Sequence, residues 1–362
     1  MRAAVLRNVG SIEIEDIDLP EPGPGEIRVK IKAVGVCHTD LVVSDGSVPA
    51  PMPIVLGHEG AGVVDAVGDG VGDLAVGDHV VISASAGCGI CMQCQLGAPG
   101  LCETGSVHYL DGKLGYGQRR LSKGTEVINH FCLQSSFAEY AVIERWSAVR
   151  IPRDVPFDIA CLTACGVPTG YGAVVNRANV MAGESVLVIG AGGVGLSAVL
   201  GAVTGGAGRV IVADKSAAAG ALARELGATD VIEVGPDTDI VAETLALTSR
   251  GVDVAIDAVG MVNTVAAAFN SLRPGGRTVV VGAFDAFGMV SVPLYGLLQQ
   301  RVLTGSTGGS VRPQVDIPRI LELYRGGRLP LDKLVTRRYG LEDLPRALEE
   351  FGVEAGRAVL IL

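Results

Sequence analysis

The first 150 residues of the chain consist of short segments in which apolar and polar side chains alternate. A representative run is Ile27–Ile31, where isoleucine and valine are separated by arginine and lysine. Turn-forming stretches rich in proline, glycine and aspartate, such as 21–25 and 68–70, interrupt these segments. Alternation with period two, broken by such turns, predicts short strands with one buried face. This part of the chain is therefore expected to be rich in β-structure.

The pattern changes after Pro156. Continuous apolar runs now alternate with helical segments, and a helix is expected from Ala217 to Leu226, ended by Gly227. We predict strands at Ser185–Ile189, Arg209–Ala213, Asp253–Ile256 and Thr278–Val281. Strands that are apolar on both faces and alternate with helices are typical of βαβ units and a parallel sheet. In the last fifty residues we expect a helix at Ile317–Tyr324 and a closing strand at Ala358–Ile361.

Composition narrows the range of partners. The chain has 362 residues, of which 48% are hydrophobic, and a net charge of -10. The length predicts two or three domains, and the acidic balance argues against nucleic acid, which prefers a basic face. No membrane-spanning run and no export signal is apparent, so the expected location is the cytoplasm.

A glycine motif follows the first of the strands predicted after Pro156. Gly190, Gly192 and Gly195 form a G-x-G-x-x-G motif at the start of a helix, together with Gly193 and Val194. In this position the motif predicts dinucleotide binding, because free N–H groups and the positive end of the helix dipole attract a pyrophosphate.

Asp214 ends the next predicted strand, about twenty residues further along. A carboxylate there can accept hydrogen bonds from the ribose hydroxyls and would repel a 2′-phosphate, which favours NAD over NADP. The alternative role for Asp214 is to cap the following helix. Lys215, next to it, is a further candidate contact to the cofactor.

Four of the eight cysteines lie within fifteen residues, at Cys88, Cys91, Cys94 and Cys102. Four thiolates can complete a tetrahedral shell around zinc and leave no position open for a substrate, which is typical of a structural site. Iron–sulfur binding and a pair of disulfides are the alternatives.

Three short stretches far apart in the chain carry further metal-binding residue types. They are Gly35–Asp40, with a cysteine and a histidine; Gly57–Gly60, with a histidine and a glutamate; and Thr163–Gly166, with a cysteine. Each stretch alone is a weak signal, because a single buried cysteine is usually a small apolar residue.

Together with the glycine motif and the four cysteines, these stretches resemble the zinc-containing medium-chain alcohol dehydrogenases. Further motifs that carry the resemblance are the G-H-E that starts at Gly57 and the T-G-Y-G-A at Thr169–Ala173. The resemblance extends over the whole chain and is strongest to the branch of class III and aryl or benzyl alcohol dehydrogenases. It implies an α/β fold, with a GroES-like catalytic domain (1–153 and 310–362) and a Rossmann NAD-binding domain (154–309).

The resemblance also implies roles for individual residues. Cys37, His58 and Cys165 would bind a catalytic zinc with one position open, and with the structural zinc this gives two zinc ions per chain. Thr39 would hydrogen-bond the alcohol oxygen. The expected supporting carboxylates are Asp40 and Glu59. The expected further cofactor contacts are His38, Thr169 and Arg357.

Two positions differ from the family pattern. Val42 stands where many members have a histidine that carries the proton to solvent, so the proton is expected to leave through the ribose and water or another group. Ala219 replaces a common lysine near the adenosine ribose.

The substrate pocket expected from the resemblance is lined by Val48, Ala84, Tyr109, Phe131, Cys132 and Ala283. Ala84 stands where an aromatic side chain is common, which predicts a wide pocket and a bulky alcohol, aromatic or of medium to long chain. By analogy with family members that retain a long segment between Cys102 and Phe131, we expect a homodimer. A strand near Val290–Val292 would pair across its axis.

Three alternatives remain at this stage. The protein could oxidise S-hydroxymethylglutathione, as class III enzymes do. It could hold a non-exchanging NAD that an external acceptor recycles. A non-catalytic protein on the same fold is the third, but such chains tend to lose zinc ligands, and all seven are present here.

Overall fold

The computed structural model describes residues 1–105, 108–283 and 288–362. Its strands are β1 Arg2–Asn8, β2 Ser11–Asp16, β3 Glu26–Gly35, β4 Ile54–Val55, β5 Gly60–Val67, β6 His79–Ile82, β7 Leu121–Lys123, β8 Glu126–Ile128, β9 Tyr140–Glu144, β10 Ala148–Arg150, β11 Ser185–Ile189, β12 Arg209–Asp214, β13 Asp230–Glu233, β14 Val252–Asp257, β15 Leu272–Val280, β16 Val302–Gly305, β17 Val335–Tyr339 and β18 Arg357–Ile361.

The α-helices are α1 His38–Ser44, α2 Met92–Gln95, α3 Phe157–Ala160, α4 Gly166–Gly172, α5 Gly193–Thr204, α6 Ala217–Glu225, α7 Ile240–Thr248, α8 Val262–Asn270, α9 Leu294–Leu298, α10 Pro313–Arg325 and α11 Leu344–Glu349. Short 3₁₀ segments lie at Pro99–Leu101, Arg145–Ser147, Cys161–Ala164, Gly308–Ser310, Leu331–Leu334 and Leu341–Asp343, and one π-helical turn lies at Ala173–Ala178.

The β-rich part of the chain forms a mainly antiparallel sheet in the order β10-β6-β5-β3-β18-β17, and β9 also pairs with β3. The strand β18, from the last part of the chain, lies between β3 and β17 and pairs with β3 antiparallel from Val359 opposite Gly35. Two smaller sheets, β2-β1-β4 and β7-β8, complete this half. Because β18 pairs with β3, residues near position 357 lie beside the end of β3.

The second half contains a six-stranded parallel sheet in the order β13-β12-β11-β14-β15-β16. All six residues of β14 are buried, as expected for a central strand covered on both faces. The predicted parallel sheet and the Rossmann-type α/β fold are confirmed. Strand order reverses between β11 and β14, and at such a point a crevice opens at the carboxyl ends of the strands.

The sequence prediction differs from the structure around residues 290–292. The three residues form no strand in the structure, although the sequence analysis expected one. A strand requires a hydrogen-bonded neighbour, and the expected neighbour is the same segment of a second copy, which a single chain does not supply. Within the described residues, no single helix is long and apolar enough to cross a membrane, although the bent pair Phe157–Ala164 and Gly166–Ala178 meets that test on length and composition.

Candidate active site and metal centres

Three turns from distant parts of the chain meet at the end of β3. Cys37 follows β3 and caps α1, His58 lies between β4 and β5, and Cys165 caps α4. The two sulfur atoms, a ring nitrogen of His58 and a carboxylate oxygen of Glu59 all lie within 4.8 Å of one another. We call these four residues the catalytic cluster. Two thiols and an imidazole at this separation could hold a zinc ion, for which sulfur and nitrogen are the preferred ligands.

Asp40, which is fully buried, connects two of these turns. Its carboxylate accepts hydrogen bonds from the backbone N–H of Cys37 at 3.0 Å and of Gly57 at 3.1 Å. Its Oδ1 also lies 3.1 Å from Nδ1 of His58. A carboxylate bound to Nδ1 orients the ring and leaves Nε2 available to a metal ion.

Glu59 and Arg357 form a buried ion pair at the edge of the catalytic cluster. Arg357 donates to one oxygen of Glu59, and the backbone N–H of Gly166 donates to the other at 3.2 Å. A Cβ atom at Gly35 would overlap the Glu59 carboxylate, and one at Gly166 or Gly193 would overlap the Arg357 side chain. The ion pair fits at this position because these three residues have no side chain.

Electrostatics in the catalytic cluster favour a bound cation. A hydrogen bond from Cys165 and the positive charges of His58 and Arg357 hold the pKa of Cys37 well below its usual value. Burial lowers the pKa of His58, but the negative charges of Asp40 and Cys37 outweigh burial and raise it. Burial also raises the pKa of Glu59. The anions that favour a proton on His58 would equally stabilise a metal ion at this position.

The second group of metal-binding residues comes from one short stretch of the chain, between Cys88 and Cys102. The sulfur atoms of Cys88, Cys91, Cys94 and Cys102 lie within 4.8 Å of one another. The backbone N–H groups of Cys88 and Gly105 point at the sulfur of Cys102, at 3.4 and 3.3 Å. We call this group the cysteine lobe. Four thiols at this separation fit a closed tetrahedral zinc site.

The thiols of the cysteine lobe are not equivalent. Burial disfavours the thiolate of Cys88, but hydrogen bonds from Thr104 and from the backbone of Ile90 and Cys91 outweigh it and lower its pKa to about 6. Burial raises the pKa of Cys94 to about 12. All eight cysteines of the chain are free thiols.

The glycine motif forms the turn between β11 and α5. Gly190 has φ of +90°, a conformation that favours glycine. A Cβ atom at Gly195 would overlap the carbonyl oxygen of Gly190, so the helix packs directly against the strand end. Gly192 is exposed, with no atom within 4 Å of where its Cβ would be. This turn can therefore accept a phosphate group against the start of α5.

Five of the expected cofactor residues line one cleft, namely Gly192, Gly193, Asp214, Lys215 and Arg357. Asp214 accepts hydrogen bonds from the backbone N–H of Ala191 at 2.6 Å and of Ser216 at 2.7 Å. Lys215 is exposed, and Ala219, on the same cleft, is buried. A cleft that combines the cationic side chains of Lys215 and Arg357 with the Asp214 carboxylate at the end of β12 fits a dinucleotide with an unsubstituted ribose.

The remaining cofactor candidates occupy different positions. Val194, in the first turn of α5, is partly buried. Thr169 is buried and donates to the carbonyl oxygen of Cys165 at 2.7 Å. The His38 ring lies 6.0 Å from the ring of Phe351, which is also on the cleft.

Five of the six expected pocket residues lie in the β-rich half. Phe131 is fully buried and meets the His58 ring edge-on, with the centroids 5.5 Å apart. Tyr109 donates to the carbonyl oxygen of Ala84, whose N–H in turn binds the carbonyl of Ala164, next to Cys165. Burial raises the pKa of Cys132 to about 12, so it remains a neutral thiol.

Two other members of the expected pocket lie apart from these contacts. Val48 is partly buried against the core of the β-rich half. Ala283 is exposed, close to Gly260 in the parallel-sheet half. Thr39 is exposed in the first turn of α1, with its hydroxyl 3.9 Å from the sulfur of Cys37.

Sequence reasoning missed two features of the site. It assigned Arg357 to the cofactor alone, whereas the structure also pairs this residue with Glu59. It also overlooked Gln134, a buried amide that binds the carbonyl of His58 at 2.7 Å. Neither feature belongs to a short motif, because the partners lie 298 and 76 residues apart.

Comparisons with known proteins agree with this geometry. Residues 23–153 match the alcohol dehydrogenase GroES-like domain family, and residues 193–325 match the zinc-binding dehydrogenase family. A geraniol dehydrogenase from Castellaniella defragrans is 39% identical, with 99% of this chain and 96% of the relative aligned. An S-(hydroxymethyl)glutathione dehydrogenase from Synechocystis is 36% identical, over 96% of this chain and 95% of the relative.

Among solved structures, a benzyl alcohol dehydrogenase from Acinetobacter calcoaceticus superposes with a TM-score of 0.94 at 34% identity. The match covers 100% of this chain and 99% of the other. Family models, full-length relatives and a superposable structure thus lead to the same assignment. The chain belongs to the zinc-dependent medium-chain alcohol dehydrogenase family, whose members use zinc and NAD.

Proposed function

We propose that this alcohol dehydrogenase oxidises bulky primary alcohols, aromatic or of medium to long chain, to aldehydes with NAD, and reduces the aldehydes in reverse. The observation that carries the proposal is the meeting of Cys37, His58 and Cys165 next to an arginine that also lines the dinucleotide cleft. The names of the geraniol and benzyl alcohol relatives support a bulky substrate.

In this proposal Cys37, His58 and Cys165 bind the catalytic zinc, and the cysteine lobe binds a structural zinc. When bound, the zinc supplies a Lewis acid for the substrate oxygen, and the nicotinamide supplies the hydride acceptor. Two thiolates and a neutral imidazole leave one coordination position for the substrate. Asp40 fixes the ring of His58, and the Glu59 carboxylate holds the Arg357 guanidinium between this site and the proposed pyrophosphate position.

Proton transfer is assigned to Thr39, whose hydroxyl lies 3.9 Å from the sulfur of Cys37. The hydroxyl takes the proton of the substrate alcohol as it gives its own proton to the ribose or to water, which its exposure allows. Val42 offers no titratable group for this step. Replacement of Thr39 by valine removes the relay without changing the size of the side chain, and is expected to lower kcat by about 10²-fold or more.

We assign the adenosine ribose to Asp214, which both favours NAD and repels a 2′-phosphate. The expected phosphate contacts are the N–H groups at Gly192–Gly195 and the side chains of Arg357 and His38. Lys215 is assigned to the ribose side of the cofactor and Thr169 to the nicotinamide side. Asp214→Ser is expected to raise KM for NAD and to improve the use of NADP, which steady-state kinetics with both cofactors measures.

The width of the pocket is assigned to Ala84, whose backbone contacts place it between Tyr109 and the turn that carries Cys165. The test is a panel of ethanol, benzyl alcohol and cinnamyl alcohol with NAD, followed by absorbance of NADH. We expect kcat/KM to be higher for the two aromatic alcohols. Ala84→Phe should then lower kcat/KM for cinnamyl alcohol and leave ethanol almost unchanged. A preference of the unmodified enzyme for ethanol would contradict the proposal.

A second candidate substrate is S-hydroxymethylglutathione, which the name of the Synechocystis relative favours. Most of the expected pocket residues are apolar, namely Val48, Ala84, Phe131 and Ala283, and they offer no positive charge to the glutathione carboxylates. Assays of formaldehyde oxidation with and without glutathione separate the two proposals. NAD(H) that stays bound to the purified protein after dialysis would instead indicate an alcohol dehydrogenase whose NAD does not exchange.

We also propose that the enzyme is a cytoplasmic homodimer, with 1–153 and 310–362 as its catalytic domain and 154–309 as its cofactor domain. Free thiols are typical of a reducing compartment. The side chains of Met289, Leu294, Tyr295 and Leu298 are 70% exposed or more, and they precede the edge strand β16 in the chain. Several large apolar side chains exposed within one short stretch of the chain suit a two-fold interface. Light scattering should give twice the 37.1 kDa mass of the chain.

A further inference from the structure

The segment 131–137 lies directly against the turn that carries His58. The backbone N–H of Ser136 donates to the carbonyl of Gly57 at 2.9 Å, and that of Phe137 donates to the carbonyl of Leu56 at 3.0 Å. A Cβ atom at Gly57 would overlap Phe137, and one at Gly60 would overlap the hydroxyl of Ser136. The two segments therefore pack without space for an intervening side chain.

Gln134 lies at the centre of this contact and is 1% exposed. Its NH₂ group donates to the carbonyl of His58 at 2.7 Å and to that of Ile82 at 3.4 Å. Its amide oxygen accepts from the backbone N–H of Gly60 at 3.2 Å and from the hydroxyl of Ser136 at 2.7 Å. All four hydrogen-bonding positions of the amide are used. Two of them hold the backbone on either side of Glu59.

The backbone around Gln134 is strained. Cys132, Leu133 and Ser135 have φ of 47°, 63° and 63°, and they are three of the seven non-glycine residues with positive φ in the described ranges. This conformation costs free energy in residues other than glycine and persists only where surrounding contacts enforce it. Here the contacts include a hydrogen bond from the N–H of Phe131 to the hydroxyl of Ser135 and one from the N–H of Cys132 to the carbonyl of Tyr109.

We infer that Gln134 is a positioning residue for the catalytic metal, an inference that rests on the proposed role of His58 as a zinc ligand. His58 is held at three points: Asp40 binds ring Nδ1, Phe131 contacts the ring edge-on, and Gln134 fixes the backbone carbonyl. Asp40 and Phe131 orient the imidazole ring relative to the backbone of His58. Gln134 sets the position of the peptide from which the ring extends, and also that of the neighbouring Glu59. Loss of this support shifts the ligand nitrogen and weakens zinc binding.

The test is Gln134→Glu, with Asn129→Asp as its matched control. In Gln134→Glu, a carboxylate oxygen replaces the group that donates to the carbonyls of His58 and Ile82. Asn129 is also buried and also donates to a carbonyl, that of Pro53 at 2.9 Å, but its side-chain bonds go to Pro53 and Arg119. Both variants make the same chemical change, five residues apart in the chain, and only Gln134→Glu makes it at the His58 turn.

The measurement is the time course of zinc release from purified, zinc-loaded enzyme to a chromogenic chelator. We expect one zinc per chain to leave Gln134→Glu about 10- to 100-fold faster than it leaves the unmodified enzyme. The other zinc, in the cysteine lobe, should leave at an unchanged rate and serves as the internal reference. Asn129→Asp should release both ions at the rates of the unmodified enzyme.

Two results would overturn the inference: release of both ions from Gln134→Glu at unchanged rates, or acceleration of both to the same extent, which would indicate general destabilisation. Gln134→Met removes the same hydrogen bonds without adding a charge. If Gln134→Glu does not fold, zinc release is measured on Gln134→Met instead. With cobalt in place of zinc, Gln134→Met should also shift the visible absorption bands of the catalytic site. An unmodified enzyme that holds one zinc per chain, all of it in the cysteine lobe, would instead contradict the zinc role of His58.

Discussion

The cysteine lobe and the catalytic cluster both bring metal-binding atoms within 4.8 Å of one another. They differ in how far apart in the sequence the residues that supply those atoms lie. The lobe uses four cysteines within fifteen residues and is supported by backbone N–H groups. The catalytic cluster takes its residues from three segments, and the charged side chains of Asp40 and Arg357 bind two of them, His58 and Glu59. A local loop can complete a closed site alone, whereas an open site requires the tertiary structure to hold each ligand in place.

The largest effect is expected from Cys165→Ser, with Cys161→Ser as the control. We expect kcat/KM to fall on the order of 10³-fold in Cys165→Ser, because Lewis-acid stabilisation contributes several kcal/mol, and the zinc content to fall from about two to about one per chain. Cys161 is fully buried and its thiol contacts the carbonyl of Asp158, so Cys161→Ser should keep both zinc ions. Two zinc ions per chain in Cys165→Ser would contradict the role of Cys165 as a zinc ligand.

The next effect concerns the buried ion pair of Glu59 and Arg357 at the catalytic cluster. Arg357→Met leaves Glu59 buried without its cation, and we expect the free energy of unfolding to decrease by about 3–5 kcal/mol. Loss of a pyrophosphate contact should also raise KM for NAD, by about 10-fold or more. The double variant with Glu59→Gln should recover much of the stability and none of the NAD affinity. If the single and double variants are equally unstable, the ion pair is not the cause.

A smaller effect is expected from the cysteine lobe itself. Cys94→Ser should release the structural zinc, and the melting temperature should fall by about 5 °C or more, since metal binding contributes to the folding of such loops. Catalysis per molecule that retains the catalytic zinc should remain close to that of the unmodified enzyme at low temperature. A loss of kcat as large as that of Cys165→Ser would show that the two sites do not act independently.

The smallest effect comes from a buried carboxyl group outside both sites. Burial raises the pKa of Glu144 to about 7, above its value in the unfolded chain, and the backbone N–H of Tyr116 donates to this carboxyl. The folded state therefore prefers the protonated form. The stability it contributes is complete below about pH 4.3 and is lost as the pH rises through about 7.

Glu144→Gln should remove this pH dependence and raise the free energy of unfolding above pH 7, on the order of 1–3 kcal/mol. Denaturant unfolding between pH 5 and pH 8 measures the effect. Zinc content and kcat should stay constant, since Glu144 contacts neither metal site. An unchanged pH profile would mean that the carboxyl group is ionised throughout.

Local patterns predicted the four central strands of the parallel sheet, and missed the two edge strands β13 and β16. The predicted strand at Ser185–Ile189 agrees with β11, and the predicted helix from Ala217 to Leu226 extends one residue beyond α6. Both depend on interactions between near neighbours in sequence. The spacing of the four cysteines was informative for the same reason, because their separation in sequence already limits their separation in space.

Features that depend on tertiary contacts were not accessible in this way. Cys37, His58 and Cys165 could be grouped only through a family resemblance, since nothing in their local sequence brings the three together. The ion pair of Arg357 and the amide of Gln134 depend on packing between distant segments. The strand expected near residues 290–292 was predicted to pair with a second chain, and it is absent from the single chain, which offers it no such partner.

The position of β18 between β3 and β17 has a consequence for biosynthesis. Glu59 leaves the ribosome 298 residues before Arg357. At about 5–20 residues per second, that interval is roughly 15–60 s. During this time the parallel sheet can form, while the nascent antiparallel sheet still lacks its inserted strand and Glu59 lacks its cation. The order of translation therefore makes the cofactor-binding half available first and completes the catalytic half afterwards.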